Sequence, residues 1–367
     1  MKKIYLLISI ITLGITIFIT NSCNKENIDN QKDTLQLTAR NSSLGQYSVV
    51  DGRLYFPTFN DYNQTKDYLA SANESEITAF RTSILIETPA KTFDAFMSAI
   101  SLLDSNSTQL PSLESQFSNK IKISTDENGD RKYEPKVDIN KEIVNLKGEV
   151  QINTGIYIFY NTKVISVLNP ALIDLNTISE NTVTDEQNGV YAIDIITLRN
   201  CCPQSNTSNT MYGPESKRKR ITNNYQAFAE ALVVGTGNDQ KGNYYTLAPS
   251  VTVKASTLHE LHRHILLFWW WEKFKVKELK QDFSIKMYHE FEIAGIPDPI
   301  NIVDTKTEPN TALIEKSWIF KGNLVKFYGT QSGIQDLVNN CCVSKVHIKG
   351  INTSIDSQPF NEFDCMD

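Results

Sequence analysis

The chain has 367 residues, 36 Lys plus Arg against 42 Asp plus Glu, and a formal charge of −6. With 40% hydrophobic and 21% charged residues it reads as globular, and 12 Pro and 16 Gly exclude collagen-like or low-complexity architecture. The mild acidity argues against a nucleic-acid partner, which needs clustered Lys and Arg in excess, and the length suggests two domains.

Lys2 and Lys3 precede an apolar run from Ile4 to Ile19. At ~1.5 Å per residue that run spans roughly 24 Å, short of the ~30 Å hydrocarbon core, so residues 1–22 read as a signal peptide rather than a spanning helix. Thr20-Asn21-Ser22-Cys23 resembles the lipobox of bacterial lipoproteins, with Thr20 and Asn21 departing from the usual Leu-Ala pair. The resemblance implies cleavage before Cys23, lipidation of its thiol, and membrane attachment through that lipid. Lys25-Glu26 resembles the surface-export signal of Bacteroidota-type lipoproteins. The implied location is the bacterial envelope, as an outer-membrane lipoprotein with possible surface display. Residues 23–45 are polar, without sustained periodicity, and read as a flexible tether.

Residues 46–205 read as a mixed helix and β module. Val49 to Phe56 is a short β-element turning at Asp51-Gly52. Helices are expected from Asp61 to about Ala70 behind Asn60, and after Asn73, where Glu76 completes a capping box ahead of Ile77, Phe80 and Ile84. A third helix is expected over Thr92 to Leu103, carrying Phe93, Phe96 and Ile100 on one stripe. Residues 104–120 read as loop, 126–130 as a turn, and Val137 to Leu146 as a short helix closed by Gly148. Glu149 to Ile152 and Ile156 to Tyr160 form a hairpin around Asn153 to Gly155. From about 165 to 215 the chain is polar and irregular.

Residues 206–367 are strand-rich: Tyr244 to Ala255, Ile265 to Glu272, Phe283 to Ile293, Leu313 to Phe320, Leu324 to Tyr328 and Val343 to Ile351. Val251-Thr252-Val253-Lys254 and Phe283-Ser284-Ile285-Lys286 alternate as half-buried antiparallel strands do. The fold class is therefore α+β: a small mixed N-terminal module followed by a β-rich, sandwich-like C-terminal domain.

Several short motifs resemble a group of uncharacterised Bacteroidota-type envelope lipoproteins: Asp51 to Phe56 with the helix after it, Leu146 to Ile158, Lys217 to Ile221, and Trp269 to Trp271. That resemblance implies a secreted, lipid-anchored protein and brings no activity with it.

Chemistry is sparse. His259, His262 and His264 miss the metalloprotease spacing because position 263 is Arg; on a strand, His262 and His264 share a face and need a third metal ligand such as His289. Asp126, Asn128 and Asp130 mimic half an EF-hand, but Arg131 and Val137 stand where Gly and Glu belong. Gly235 to Gly242 fits no phosphate-loop spacing and reads as a loop. Gly329 to Gly333 lacks the central Ser of a nucleophile elbow. No cofactor is implied. Lys217 to Arg220 reads as a solvated strand start, with anionic head groups or an acidic polysaccharide as the functional alternative.

Two features remain. Trp269, Trp270 and Trp271 alternate faces on a strand, so one pair is core and the other either covered or an exposed platform for stacking sugar rings. Cys201, Cys202, Cys341 and Cys342 sit in an export-competent chain, and a bridge from 201/202 to 341/342 would close a loop worth roughly 4–5 kcal/mol in the chain-entropy model. The preferred functional expectation is a non-catalytic binding or structural module for glycan or protein. The alternative is an envelope hydrolase using dispersed Asp, Glu and His residues.

Overall fold

The computed structural model describes residues 44–103, 108–125, 131–197, 199–200, 208–212, 219–265, 268–273, 275–352 and 363–364. The signal peptide, Cys23, the 126–130 turn, and Cys201 and Cys202 lie outside the described residues. The fold is mixed α+β with a β-rich C-terminal region.

The first half opens with β1 (Ser48–Val50) and β2 (Arg53–Phe56), joined by Asp51 and Gly52, both at positive φ. Helix α1 (Phe59–Ser71) begins at Thr58, whose hydroxyl accepts from Asp61 N at 3.1 Å. Helix α2 (Glu74–Ser83) carries the expected capping box, Asn73 Oδ1 accepting from Glu76 N at 3.0 Å and Asn73 N donating to Glu76 Oε2 at 2.7 Å. Helix α3 (Pro89–Ser101) is capped by Thr88 and starts a few residues earlier than expected, because Pro89 is compatible with the first turn. Helix α4 (Leu110–Phe117) occupies the stretch read as loop; its N-cap position, Gln109, makes no side-chain cap bond, which leaves Pro111 in the first turn as its start signal. Helices α3 and α4 close a small core of Phe96, Ile100, Leu110 and Ile121 over the hairpin β3 (Ile121–Thr125) and β4 (Arg131–Pro135).

Val137 to Leu146 is a chain of turns, not a helix. Asn140 is left-handed at φ 56, which ends helical continuation, and Val137, Ile139, Ile143 and Val144 all enter the core. The segment then feeds β5 (Glu149–Ile152), β6 (Gly155–Phe159), β7 (Lys163–Val167) and β8 (Val190–Asp194). The β5–β6 turn is the expected one, with Asn153 at φ 53. These strands form a six-stranded sheet in the order β1-β2-β5-β6-β7-β8. Strand β6 is buried along its whole length: Tyr157 and Phe159 enter the main core, while Ile156 and Ile158 enter a second cluster under 170–178.

After the short β9 (Ile196–Thr197), β10 (Arg199–Asn200) and β11 (Ser208–Tyr212) come two long strands, β12 (Lys219–Asp239) and β13 (Gly242–Ile265). They pair antiparallel from Lys219↔Leu261 to Asp239↔Gly242, with a bulge at Val233/Gly235. Gly235 and Gly237 thus lie in β12 and Gly242 opens β13, on either side of a two-residue turn, rather than in a loop. Strand β14 (Phe268–Lys273), β17 (Leu313–Lys321) and β18 (Val325–Phe327) line up in succession along the other side of β13. A five-stranded sheet holds β10, β15 (Val276–Tyr288), β16 (Ile300–Thr311), β19 (Cys342–Asn352) and β20 (Phe363–Asp364). Helix α5 (Gln331–Asn339), absent from the sequence reading, precedes β19 and is capped by Thr330.

The two C-terminal sheets pack face to face. Phe283, Ile285, Val346 and Ile348 of one share the main core with Val251, Val253 and Ala255 of the other, and Phe283 stacks on Trp318 at 5.1 Å. Gln281 Nε2 donates to Thr257 Oγ1 at 3.0 Å, which donates to Asn223 Oδ1 at 2.8 Å, closing a buried polar chain between the sheets. Residues 39–367 fall in one compact unit, and the main core takes Leu54, Phe56 and Val150 from one side of 205/206 and Val251 and Phe283 from the other.

Gly350 marks the closest approach of the two sheets: a Cβ there would meet Thr257 Cγ2 at 2.4 Å and Asn223 Oδ1 at 2.6 Å. Gly350→Ala is expected to cost about 2 kcal/mol by overpacking, read as a lower urea midpoint at unchanged m-value. An unchanged midpoint would show that the sheets part freely at this point.

Candidate functional site

Two concave features stand out. The larger is an open groove of 730 Å³ at the β1 edge of the six-stranded sheet. Its walls are the β1–β2 turn (Val49, Asp51, Gly52), the stretch after α2 (Leu85 to Glu87), the 145–147 turn, and Ile173 to Asn176. Local hydrogen bonding shapes these walls. Asn145 Oδ1 accepts from the backbone of Lys147 and Glu149 at 2.9 and 3.0 Å, and Asp174 Oδ1 accepts from Asn176 N at 3.0 Å. Lys147 Nζ reaches Asn176 Oδ1 at 3.1 Å and ties the two walls together.

Arg53 and Glu149 also line the groove. Arg53 alternates with Leu54, which is buried in the core, so its side chain leaves the strand on the opposite face. Glu149 Oε2 lies 3.8 Å from Arg53 Nε, beyond hydrogen-bond distance, and accepts instead from Asn145 Nδ2 at 2.9 Å. Only 11% of the Arg53 side chain is exposed, and its Nε has no acceptor among the described residues. Leu85 is 89% exposed and adds an apolar shelf. Planar polar groups beside an apolar shelf suit a ligand with hydroxyl or carboxylate acceptors and a C–H face.

The smaller feature is a cleft of 110 Å³ between α1, the 138–143 turns, and the face of the long sheet formed by β12, β13 and β17. Strand alternation aims Thr252 and Lys254 of β13 at this cleft while Val251 and Val253 enter the core behind. Helix α1 supplies Lys66, whose ammonium is 3.0 Å from Glu230 Oε1 of β12; Ser250 Oγ donates to the same oxygen at 2.9 Å. Lys141 pairs with Asp138 at 3.0 Å, and Lys254 approaches the same carboxylate at 3.9 Å. Arg81 braces Glu142 through two nitrogens, one at 2.7 Å, and also contacts Asp94. Glu315 is exposed at the cleft's mouth.

These charges reshape one another. Burial depresses Lys254, and the Lys141 ammonium adds to that while Asp138 opposes it. For Lys66 and Lys141 burial acts downward too, but their carboxylate neighbours win and hold both ammoniums above the ordinary value. Asp138 resists its own burial and is pulled to about 2 by Lys254 and Lys141. Glu315 is held low, chiefly by Lys141. At the far end of α1, burial drops Lys321 to about 8 although it pairs with Asp67 at 2.6 Å and donates to Asn63 O.

The sequence-predicted positions fall elsewhere. The backbone of Trp269, Trp270 and Trp271 belongs to β14, with Trp269 opposite His264 and Trp271 opposite His262; their side chains lie outside the described residues. His289 is buried with both ring nitrogens taken: Nε2 contacts Pro297 O at 2.7 Å and Nδ1 accepts from Phe291 N at 3.0 Å. It has no lone pair left to join His262 and His264 on a metal. Among the described residues no group of three His, Cys, Asp or Glu is arranged to hold a metal ion. Arg220, from the basic run, pairs with Glu260 at 2.6 Å. Cys341 is a buried free thiol, raised to about 11 by burial, so a bridge from this end has to use Cys342. Sequence reasoning passed over Arg53, read within a short β-element turning at Asp51-Gly52, and Lys254, read in a half-buried alternating strand.

No protein-family model matches the chain, and no curated protein matches it. Among solved structures it is similar to a DUF4848 family protein from Bacteroides thetaiotaomicron, at 11% identity and a TM-score of 0.29, covering 84% of this chain and 96% of that one.

Two titrations follow. A folded-state value of about 8 against the ordinary 10.5 means that the unfolded chain binds more protons at Lys321 between those limits. Stability is therefore expected to rise from pH 8 to 10, by up to about 3 kcal/mol from this group, and Lys321→Met is expected to flatten that rise in urea melts. Asp138 gives a slope of the same sign in the acid range: its contribution is complete above about pH 4 and is lost as pH falls toward 2. Asp138→Asn is expected to remove about 1 kcal/mol of that acid-labile stability, screening at its partly open side having reduced the rest. A parental acid profile in the variant would place the loss on other carboxylates.

Proposed function

We propose that the chain is an envelope lipoprotein, anchored through Cys23, whose folded body is a non-catalytic module that binds glycan in the groove beside β1. The observation that carries the binding reading is Arg53: a nearly buried guanidinium whose Nε has no acceptor among the described residues, in an open groove of 730 Å³. A buried donor left without an acceptor costs about 1–3 kcal/mol, which a ligand oxygen recovers. Asp51, Asn145, Lys147 and Asn176 line the same groove with further polar groups, and Leu85 offers a surface for a ring's C–H face. A hydrolase working in this groove would call on a pair among Asp51, Glu87, Glu149 and Asp174, and the two most enclosed by local bonds are Glu149 and Asp174. The first is held by Asn145 beside Arg53, and the second caps a local turn, which favours binding over catalysis.

The anchor rests on the sequence around Cys23 and on the polar stretch behind it. The Trp269–Trp271 run remains a second candidate platform for sugar stacking.

An oligosaccharide array probed with the full chain is expected to give a binding signal that Arg53→Gln lowers at least tenfold while leaving the melting temperature within 2 °C or so of the parent, a shift of under about 1 kcal/mol. Binding that survives this change but falls in Trp269→Ala and Trp271→Ala would move the site to β14. Signal on peptide arrays alone would make the ligand protein. In parallel, palmitate labelling in a bacterial host is expected to be lost in Cys23→Ala; retained label would refute the anchor.

A further inference from the structure

We infer that the cleft beneath α1 is a binding site for a small zwitterion, a free amino acid with about five or six heavy atoms. The argument is independent of the groove and of any glycan.

The first step is hydrogen-bond capacity. Thr252 is 4% exposed and lines the cleft, and its Oγ1 has no partner among the described residues. On the same strand face, Lys254 makes no hydrogen bond in the described structure; its nearest carboxylate oxygen is Asp138 at 3.9 Å. Glu315 has its counter-charges within coulombic reach but no ion pair among the described contacts. By contrast, the other charges around the cleft are ion-paired: Lys66 on Glu230 Oε1, whose Oε2 has no partner among the described residues, Lys141 on Asp138, and Glu142 on Arg81. The cleft thus presents one cation held only by a long 3.9 Å ion pair to Asp138 and by the Phe228 ring at 5.6 Å, one carboxylate without an ion pair among the described residues, and one hydroxyl without a partner among them.

The second step is spacing. Strands β13 and β17 pair with Lys254 opposite Ser317 and with Ser256 opposite Glu315. Lys254 and Glu315 are therefore diagonal neighbours, with backbones ~7–8 Å apart. Residues so placed with long side chains often meet directly; here they leave a gap. A molecule whose carboxylate meets the Lys254 ammonium and whose ammonium meets Glu315 fills that gap and closes both charges, with Thr252 donating a third bond to the carboxylate.

The third step is size and sign. A cleft of 110 Å³ holds about three or four waters at ~30 Å³ each, enough for glycine or alanine and too little for a hexose. A bare anion would face Asp138, Glu142 and Glu315, and a bare cation would face Lys66, Lys141 and Lys254. A dipolar ligand avoids both repulsions.

The test is titration of the full chain by calorimetry and thermal melt with glycine, L-alanine and D-alanine. Acetate, ethylammonium and ethylene glycol serve as probes of similar size that lack one charge or both. Saturable binding and a raised melting temperature are expected for at least one amino acid and for none of the three controls. Lys254→Met and Glu315→Gln are each expected to weaken that binding tenfold or more, and Thr252→Val a few-fold; an unchanged far-ultraviolet spectrum checks their folding. The ligand panel on the parent chain decides the question even if a variant fails to fold. No binding of any amino acid at 10 mM would overturn the proposal and leave the cleft to water; acetate binding as well as glycine would overturn it in favour of an anion site. Arg53→Gln is expected to leave amino-acid binding unchanged, so loss of the glycan reading would not carry this one with it.

Discussion

Strand β13 is covered on both faces, and everything around it answers to that. From Ala248 to Val253 every residue is buried, yet the alternation gives the strand one apolar face and one polar face. Val251, Val253 and Ala255 meet the five-stranded sheet, where apolar area is removed from water at roughly 25 cal/mol per Å². Ser250, Thr252 and Lys254 point the other way, toward α1 and the 138–143 turns. A one-residue slip against β12 would exchange the faces and drive Lys254 into the core. The polar face therefore fixes the register as firmly as the apolar one.

Charges under a helix need partners, and the N-terminal half supplies them. Lys66 comes from α1 to meet Glu230, and Asp138 comes from the turns to pair with Lys141 and, at 3.9 Å, with Lys254. Desolvating such groups costs several kcal/mol per ion, and attraction inside the protein only roughly repays it. The net gain is accordingly in specificity. A helix layer that slid along the sheet would leave Glu230 or Lys66 buried and alone, at a cost of about 3–5 kcal/mol. This links halves that the sequence suggests as separate modules: their shared boundary is ionic on one side of the long sheet and continuous with the apolar core around Phe56, Val150 and Phe228.

How much of this could be read in advance depends on the range of the signal. Asn73 with Glu76, and Asn153 at a positive φ, are local devices, and both appear where they were expected. The alternation of Val251 to Lys254 gave the strand but not its neighbours, because a half-buried strand and one covered by a charged layer have the same period of two. Val137 to Leu146 misled for a related reason. Its apolar residues are spaced much as on a helix, while Asn140 turns the chain left-handed so that they enter one core and Asp138 and Lys141 face the cleft. Helices α4 and α5 were hidden by a missing cap in one case and by a Gly-flanked opening turn in the other. The groove had no linear signature at all, since its walls come from four stretches between residues 49 and 176.

Where the molecule leaves polar groups unsatisfied separates its scaffold from its candidate sites. The scaffold closes its bonds: His289 uses both ring nitrogens, and Gln281, Thr257 and Asn223 form a chain between sheets. Ser166, unpartnered within the six-stranded sheet, shows that a lone orphan hydroxyl does not make a site. Arg53 and Thr252 differ because each borders a space that a ligand can enter, with charged groups beside it. An orphan atom in a packed interior only costs stability, whereas one at the wall of an accessible cavity returns that cost to whatever fills it. On that criterion the groove and the cleft are distinct sites, one open and sized for a chain of rings, the other small and dipolar. The groove draws its rigidity from the six-stranded sheet and the cleft from the long sheet of β12, β13 and β17.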